Sequence, residues 1–246
     1  MPKIESLETG SSFQRDGLNH QAIEDYLKTI YMLAETEAPV STSRLAEARG
    51  VKPASVTSMI QRLYKLNLVH YEKHYGVTLT AAGEKIALEV LRHHRLIELY
   101  LIEALGFSWD EVHEQAEVLE HVISEKLEER IAAVLGYPTL DPHGDPIPAK
   151  DGTIIQVEAQ PLSSVPLDCT AYVARIMDDS NSEMLRYLAQ LGLTPGMPLQ
   201  VVQREPFDGP VTIRVGEETA VVGHQLAQIV LVTLNKPASD SSDGVN

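Results

Sequence analysis

Four prolines, Pro138, Pro142, Pro146 and Pro148, fall between Tyr137 and Lys150, and the apolar residues on their two sides follow different periods. Proline has no N–H and its ring clashes with the preceding helical turn, so neither a helix nor a central strand runs through such a segment. Upstream, apolar side chains recur every three or four residues. Downstream, short Val/Ile/Thr-rich runs alternate between Gly, Pro and Asp breaks, as strands do. The predicted class is therefore mainly α with a β C-terminal domain. A chain of 246 residues with 43% hydrophobic content has enough apolar surface for several separate cores.

From His20 to Thr36, Ile23, Leu27, Ile30, Tyr31 and Ala34 form the stripe of an amphipathic first helix. Ser41-Thr42 can cap a short second helix over Ser43–Ala48, with Gly50 supplying the positive φ of the turn beyond it. A third helix is predicted over Pro53–Leu66, with proline in its first turn and Val56, Ile60 and Leu63 on one face. LVHYEKHYGVTLT then reads as two strands around a turn at His74–Gly76. Helix, turn, helix and hairpin is the order of a winged helix-turn-helix.

Long helices are predicted over Ala81–Leu105 and Asp110–Leu135, with apolar arcs too broad for a monomer to cover, so a homodimer is expected. After 150 the strand-like runs AYVARIMD, PLQVVQRE, PVTIRVGEETAVV and AQIVLVTL, with a helix near Ser182–Leu191, suggest a small barrel. The predicted organisation is a flexible tail at 1–18, a winged helix at 19–80, a helical dimerisation and metal domain at 81–150, a linker at 151–166, a barrel at 167–236 and a second tail at 237–246.

The net charge of −15 argues against a nucleic-acid partner until its distribution is considered. Between His20 and Arg95 there are 10 Lys/Arg against 8 Asp/Glu, so the acidic excess lies in the remainder. On the third helix Ser55, Thr57, Ser58 and Gln61 can reach base edges or phosphates, while Lys52, Arg62, Lys65 and Lys73 can meet the DNA backbone. A small α+β domain without DNA function is the alternative.

In VHEQAEVLEHVISEKLE, residues His113, Glu117, Glu120 and His121 fall within a sector about 100° wide on a helix. Two imidazoles interleaved with two carboxylates can ligate a divalent transition metal, although a solvated polar face has the same spacing. His94 and Glu98 repeat the i, i+4 relation in RHHRLIELY, among leucines that bury them, so they need a partner. Asp25 lies beside the stripe of the first helix. A buried ion pair is the alternative for each.

No HExxH, phosphate-binding glycine loop, GxSxG or paired cysteine nucleophile occurs, so no enzyme and no small organic substrate is expected. One cysteine, Cys169, allows no internal disulfide and suits a reducing compartment. With neither a signal peptide nor a membrane span legible, a cytoplasmic location is expected.

EDYLKTIYML, PASVTSMIQRL, LTAAGEKIA, RHHRLIELYL, VHEQAEVLEHVISEKLEERI and PHGDPIP, in this order, resemble segments of the diphtheria toxin repressor family of metalloregulators, over Asn19–Leu234. The resemblance implies a metal-activated repressor of double-stranded, palindromic operator DNA, built of a winged helix, a helical dimerisation and metal domain, and a FeoA-like, SH3-like barrel. It implies one metal site at Asp25, Glu117, Glu120 and His121, and a second at His94, Glu98 and His113 with a barrel carboxylate at Glu183. Iron-sensing members carry a methionine and a cysteine where this chain has Asp25 and Glu117, and hard oxygen donors suit Mn(II) over Fe(II). Other divalent transition metals are expected to bind in vitro. Lys28 replaces a glutamate that holds a second, adjacent ion in the manganese branch, and a protonated lysine cannot ligate, so two separate mononuclear sites are expected. Arg186 stands where the family has an amide ligand. The rival functions are metal storage or delivery, with the winged helix as a protein-interaction module, and a winged-helix regulator that ignores metal.

Overall fold

The computed structural model describes residues 10–235. They divide into two compact units, the first reaching His93 and including Lys150–Gly152, the second comprising His94–Ala149 and the chain from Thr153. Of the tail expected at 1–18, residues 1–9 lie outside the described residues and 10–18 are helical, while the tail expected at 237–246 lies wholly outside them.

In the first unit α1 runs over Gly10–Ala34. It starts earlier than the apolar stripe suggests, because no proline interrupts the polar residues before His20 and the helix extends through them. Helices α2 (Thr42–Ala48) and α3 (Pro53–Lys65) follow, and the Ser41 side chain accepts from the Arg44 N–H at the start of α2. Gly50 takes the left-handed φ of +61° that the turn needs. Strands β1 (Val69–Glu72) and β2 (Gly76–Leu79) pair antiparallel, Val69 opposite Leu79 and Glu72 opposite Gly76. Leu27 and Ile30 of α1, Leu45 of α2, Val56, Ile60 and Leu63 of α3, and Val69 and Val77 of the hairpin share one core. That core sets α3 with its apolar face inward and its hydroxyl and basic residues outward.

Helix α4 (Ala81–Leu105) begins in the first unit. Gly83 in its first turn lies against Leu68, and an added Cβ would stand 2.0 Å from the Leu68 carbonyl oxygen.

In the second unit the helix predicted over Asp110–Leu135 is two helices, α5 (Val112–Leu119) and α6 (Glu125–Val134). Ser124 causes the break: its side chain accepts from the Leu127 N–H, starting a new helix where the old one would have continued. Leu96 of α4 packs on Ile131 and Ala132 of α6 and on Ile147, while Ile97 and Leu101 pack on Val112 and Ala116 of α5.

The C-terminal domain is a six-stranded antiparallel sheet in the order β3-β8-β4-β5-β6-β7: β3 (Gln160–Pro161), β4 (Thr170–Ile176), β5 (Pro198–Arg204), β6 (Val211–Val215), β7 (Glu218–Val222) and β8 (Val230–Thr233). Register shifts at Val173/Arg175 and Val201/Gln203 bend the sheet around its core. Helices α7 (Ser182–Gln190) and α8 (His224–Ile229) complete it. Residues 160–166, predicted as linker, contribute β3 and bury Leu162 and Val165 in this core. Among the described residues no helix is long and apolar enough to cross a membrane.

Gly83→Ala should lower stability by about 1–3 kcal/mol, because a backbone carbonyl cannot yield as a side chain can; thermal unfolding measures it.

Candidate metal centre

The buried length of α4 presents His94 and Glu98 one turn apart, with side chains 4% and 0% exposed. His94 Nε2 lies 3.0 Å from Glu98 Oε1 and 3.3 Å from His113 Nδ1, which α5 carries in its first turn. Asp179, three residues beyond β4, brings Oδ1 to 3.5 Å from His113 Nδ1. Ligand atoms of His94, Glu98, His113 and Asp179 all lie within 4.8 Å of one another.

The other ring nitrogen of His94 faces a different acidic group. Nδ1 makes a short contact with Glu120 Oε2 and lies 3.8 Å from Glu117 Oε1, and His94, Glu117 and Glu120 form a second group with metal-ligand spacing. His121 Nε2 is 3.3 Å from Glu120 Oε1. Glu120 caps α5 in helical conformation, so it keeps the face that His113 and Glu117 share, whereas the turn before Ser124 places His121. His94 therefore stands between groups that the sequence reading kept apart.

A third group, Glu98, Asp141 and His143, is wholly buried. The Asp141 carboxylate accepts from the His143 and Asp145 N–H groups, tightening the loop around Gly144. His143 Nε2 donates to the Trp109 carbonyl at 2.9 Å, which leaves Nδ1 with a lone pair. That Nδ1 lies 3.9 Å from Glu98 Oε2 and 4.0 Å from Asp179 Oδ2. His143 Nδ1, Glu98 Oε2 and Asp141 Oδ2 are buried without a hydrogen bond. Two carboxylate oxygens and an imidazole lone pair, desolvated and facing one another, are a donor set for a divalent cation.

Asp141, His143 and Asp179 are absent from the sequence-predicted set. The Asp-x-His spacing of Asp141-Pro142-His143, at the start of DPHGDPIP, could have signalled the first two; Asp179 precedes a helix in a loop with no spacing signal. The barrel carboxylate in the cluster is Asp179, whereas Glu183 is exposed in the first turn of α7. The reason is the end of β4: the chain delivers the residue three positions after Ile176, and by Glu183 the helix has turned outward. Arg186 bonds Asp110 at 2.8 Å, tying α7 to the turn before α5.

Electrostatics follows from this crowding. Burial opposes charge on His113, but hydrogen bonds to Asp179 and Glu98 outweigh it and push the imidazole up to about 10. Burial raises Glu98, yet His94 and His113 pull it down to about 2. Asp179 is lowered against its own burial, chiefly by its hydrogen bond to His113. Asp141 is pushed well up by burial and by the charges of Asp145 and Glu98, with Arg95 opposing.

In the first unit Asp25 pairs with Arg49, and Lys28 is buried on α1. On α3, Ser55, Ser58, Gln61, Arg62 and Lys65 are exposed, as are Lys52 and Lys73. Ser55, Ser58 and Arg62 line a shallow hollow with Ala54 and Met59. Thr57 is half-buried and donates its hydroxyl to the Pro53 carbonyl.

Three family profiles match the chain in succession: the iron dependent repressor N-terminal DNA binding domain at residues 20–77, the iron dependent repressor metal binding and dimerisation domain at 80–149, and the FeoA domain at 160–234. The iron-dependent repressor IdeR of Mycobacterium tuberculosis is 30% identical, over 85% of this chain and 95% of its own. The HTH-type transcriptional regulator MntR of Bacillus velezensis is 36% identical, over 47% of this chain and 81% of its own. Among solved structures, a manganese-dependent transcriptional repressor in complex with manganese is 41% identical and superposes with a TM-score of 0.79, covering 85% of this chain and 98% of the other.

His113 is protonated more readily folded than unfolded, so its contribution to stability is full below about 6.5 and is lost as pH rises toward about 10. In chelator, the gap in thermal midpoint between the wild type and His113→Asn should narrow steadily over that range.

Proposed function

This chain belongs to the iron-dependent repressor family and is a metal-dependent DNA-binding repressor rather than an enzyme, and we propose that it answers to Mn(II) as a cytoplasmic homodimer on a palindromic operator. The observation that carries the metal preference is the donor set: among the described residues the groups with metal-ligand spacing are built of carboxylates and imidazoles, with no cysteine in them. Cys169 instead packs against the core of the β domain. Mn(II) gains nothing from sulfur, and hard oxygen donors suit it. Relatives described as iron-dependent make Fe(II) the second reading.

Asp25, Glu117, Glu120 and His121 would hold one ion, and His94, Glu98 and His113 a second, with Asp179 in place of Glu183 as the barrel carboxylate and Asp141 and His143 beside it. A bound divalent cation supplies the positive charge that these desolvated carboxylates lack. Its charge would offset the mutual repulsion of Glu98, Asp141 and Asp179 and let them stay ionised side by side. Asp25 extends the same anchoring to α1, which shares its core with α3, so the recognition helices are held in the arrangement that two half-sites of an operator require. Ser55, Ser58 and Gln61 would face base edges, and Lys52, Arg62, Lys65 and Lys73 the phosphates. Exposed Val118 and Val122 after the start of α5, with Leu127 and Val134 on α6, offer apolar surface to the second subunit.

Operator binding in a gel shift should be at least about tenfold tighter with Mn(II) than with chelator, and equal binding would refute metal activation. Asp25→Ala and Glu117→Ala should each abolish that difference while sedimentation still shows a dimer. A genomic footprint without a protected palindrome would favour storage or delivery. Because His113 is protonated at neutral pH, cation binding at its cluster should release about one proton, read by calorimetry in buffers of different ionisation enthalpy. Trp109, the sole tryptophan, stacks on His143 with ring centroids 5.5 Å apart, so the same titration should change its fluorescence.

A further inference from the structure

Arg49 closes α2, its backbone N–H bonding the Leu45 carbonyl at 3.0 Å. Its side chain reaches back to α1, where Nη2 donates to Asp25 Oδ2 at 2.7 Å. The guanidinium carbon lies 5.6 Å from the ring centre of Tyr26, the residue after Asp25, and Tyr26 is part of the buried core. Arg49 is thus packed against one side chain and bonded to the next. The side chains of Asp25 and Arg49 are 13% and 26% exposed, so water screens the pair only in part. The bond takes one carboxylate oxygen and fixes the other.

We propose that Arg49 is the positioning residue for Asp25: it holds Oδ2, presents Oδ1 as a single ligand oxygen, and joins the metal-binding carboxylate to the end of the first helix of the helix-turn-helix. The proposal rests on the reading of Asp25 as a ligand. A carboxylate that must be found in one rotamer binds a cation more weakly than one already fixed, and partners of this kind typically contribute roughly 10- to 100-fold in metal affinity. The planar fork and its stacking on Tyr26 do the holding, so a lysine, which keeps the charge but not the shape, can restore only part of the effect.

Mn(II) calorimetry on the full-length protein tests this. Asp25→Asn first identifies the binding event that belongs to Asp25. Arg49→Gln should then weaken that event by about tenfold or more while leaving the other unchanged, and Arg49→Lys should recover part of the loss. Circular dichroism in chelator should give the same thermal midpoint for wild type and Arg49→Lys, so Arg49→Lys alone decides if Arg49→Gln fails to fold. Unchanged affinity in the Arg49 variants would make the residue a bystander, and tighter binding would make it a competing counter-cation; either overturns the proposal. If Asp25→Asn removes no binding event, the ligand reading itself fails and takes this proposal with it.

Discussion

The organising constraint of the second unit is a crowd of carboxylates in a dry interior. Glu98, Glu120, Asp141 and Asp145 are all buried, and Asp179 points into the same space. Transferring so many carboxylates from water is tolerated only where positive charge and hydrogen bonds meet them. The protein supplies part of that compensation through His94, His113, Arg95 and Arg175. Arg95 lies 3.0 Å from Asp145 and 3.5 Å from Asp141, and Arg175 lies 2.6 Å from Asp145. The arginines satisfy one side of the cluster. Among the described residues His143 Nδ1, Glu98 Oε2 and Asp141 Oδ2 are buried without a hydrogen bond, although Arg95 Nε stands 3.5 Å from Asp141 Oδ2.

The two units use their sequence differently. In the first, amphipathic stripes pack into one core and leave outside it the hydroxyl and basic residues of α3 that we propose meet DNA. In the second, the clustered carboxylates and imidazoles are inside, between α4, α5, the loop bearing Asp141 and His143 and the loop after β4, and the apolar clusters of Leu96 and Ile97 lie beside them. The Asp25–Arg49 ion pair stands at the edge of the first core.

How much of this could be read from the residues depended on the range of the determining interaction. Helices α2 to α4 and the hairpin carry their own caps, turns and periods, so local patterns located them. The continuous helix over Asp110–Leu135 was misread because its apolar period persists through Val122 and Ile123, and only the side chain of Ser124 decides that a new helix starts. His94, Glu98, His113, Glu117 and Glu120 were legible because helical spacing places them on shared faces. Asp179 and His143 were not, because they arrive from loops whose paths depend on packing between the helical part and the β domain. The same limit hid His94's second contact: spacing relates it to Glu98 but says nothing about Glu120, 26 residues away.

Gly144 carries a consequence for how finely the cluster is calibrated. A Cβ there would fall 1.9 Å from the Ala174 carbonyl, and the Ile176 N–H donates to the His143 carbonyl at 2.9 Å. Main chain therefore rests on main chain where the loop bearing Asp141 and His143 meets the strand leading to Asp179. The spacing between these donors is then gauged by peptide geometry, whose bond lengths no substitution alters, and not by the fit of interchangeable side chains. Substitutions in the apolar cores on either side touch neither of these main-chain contacts.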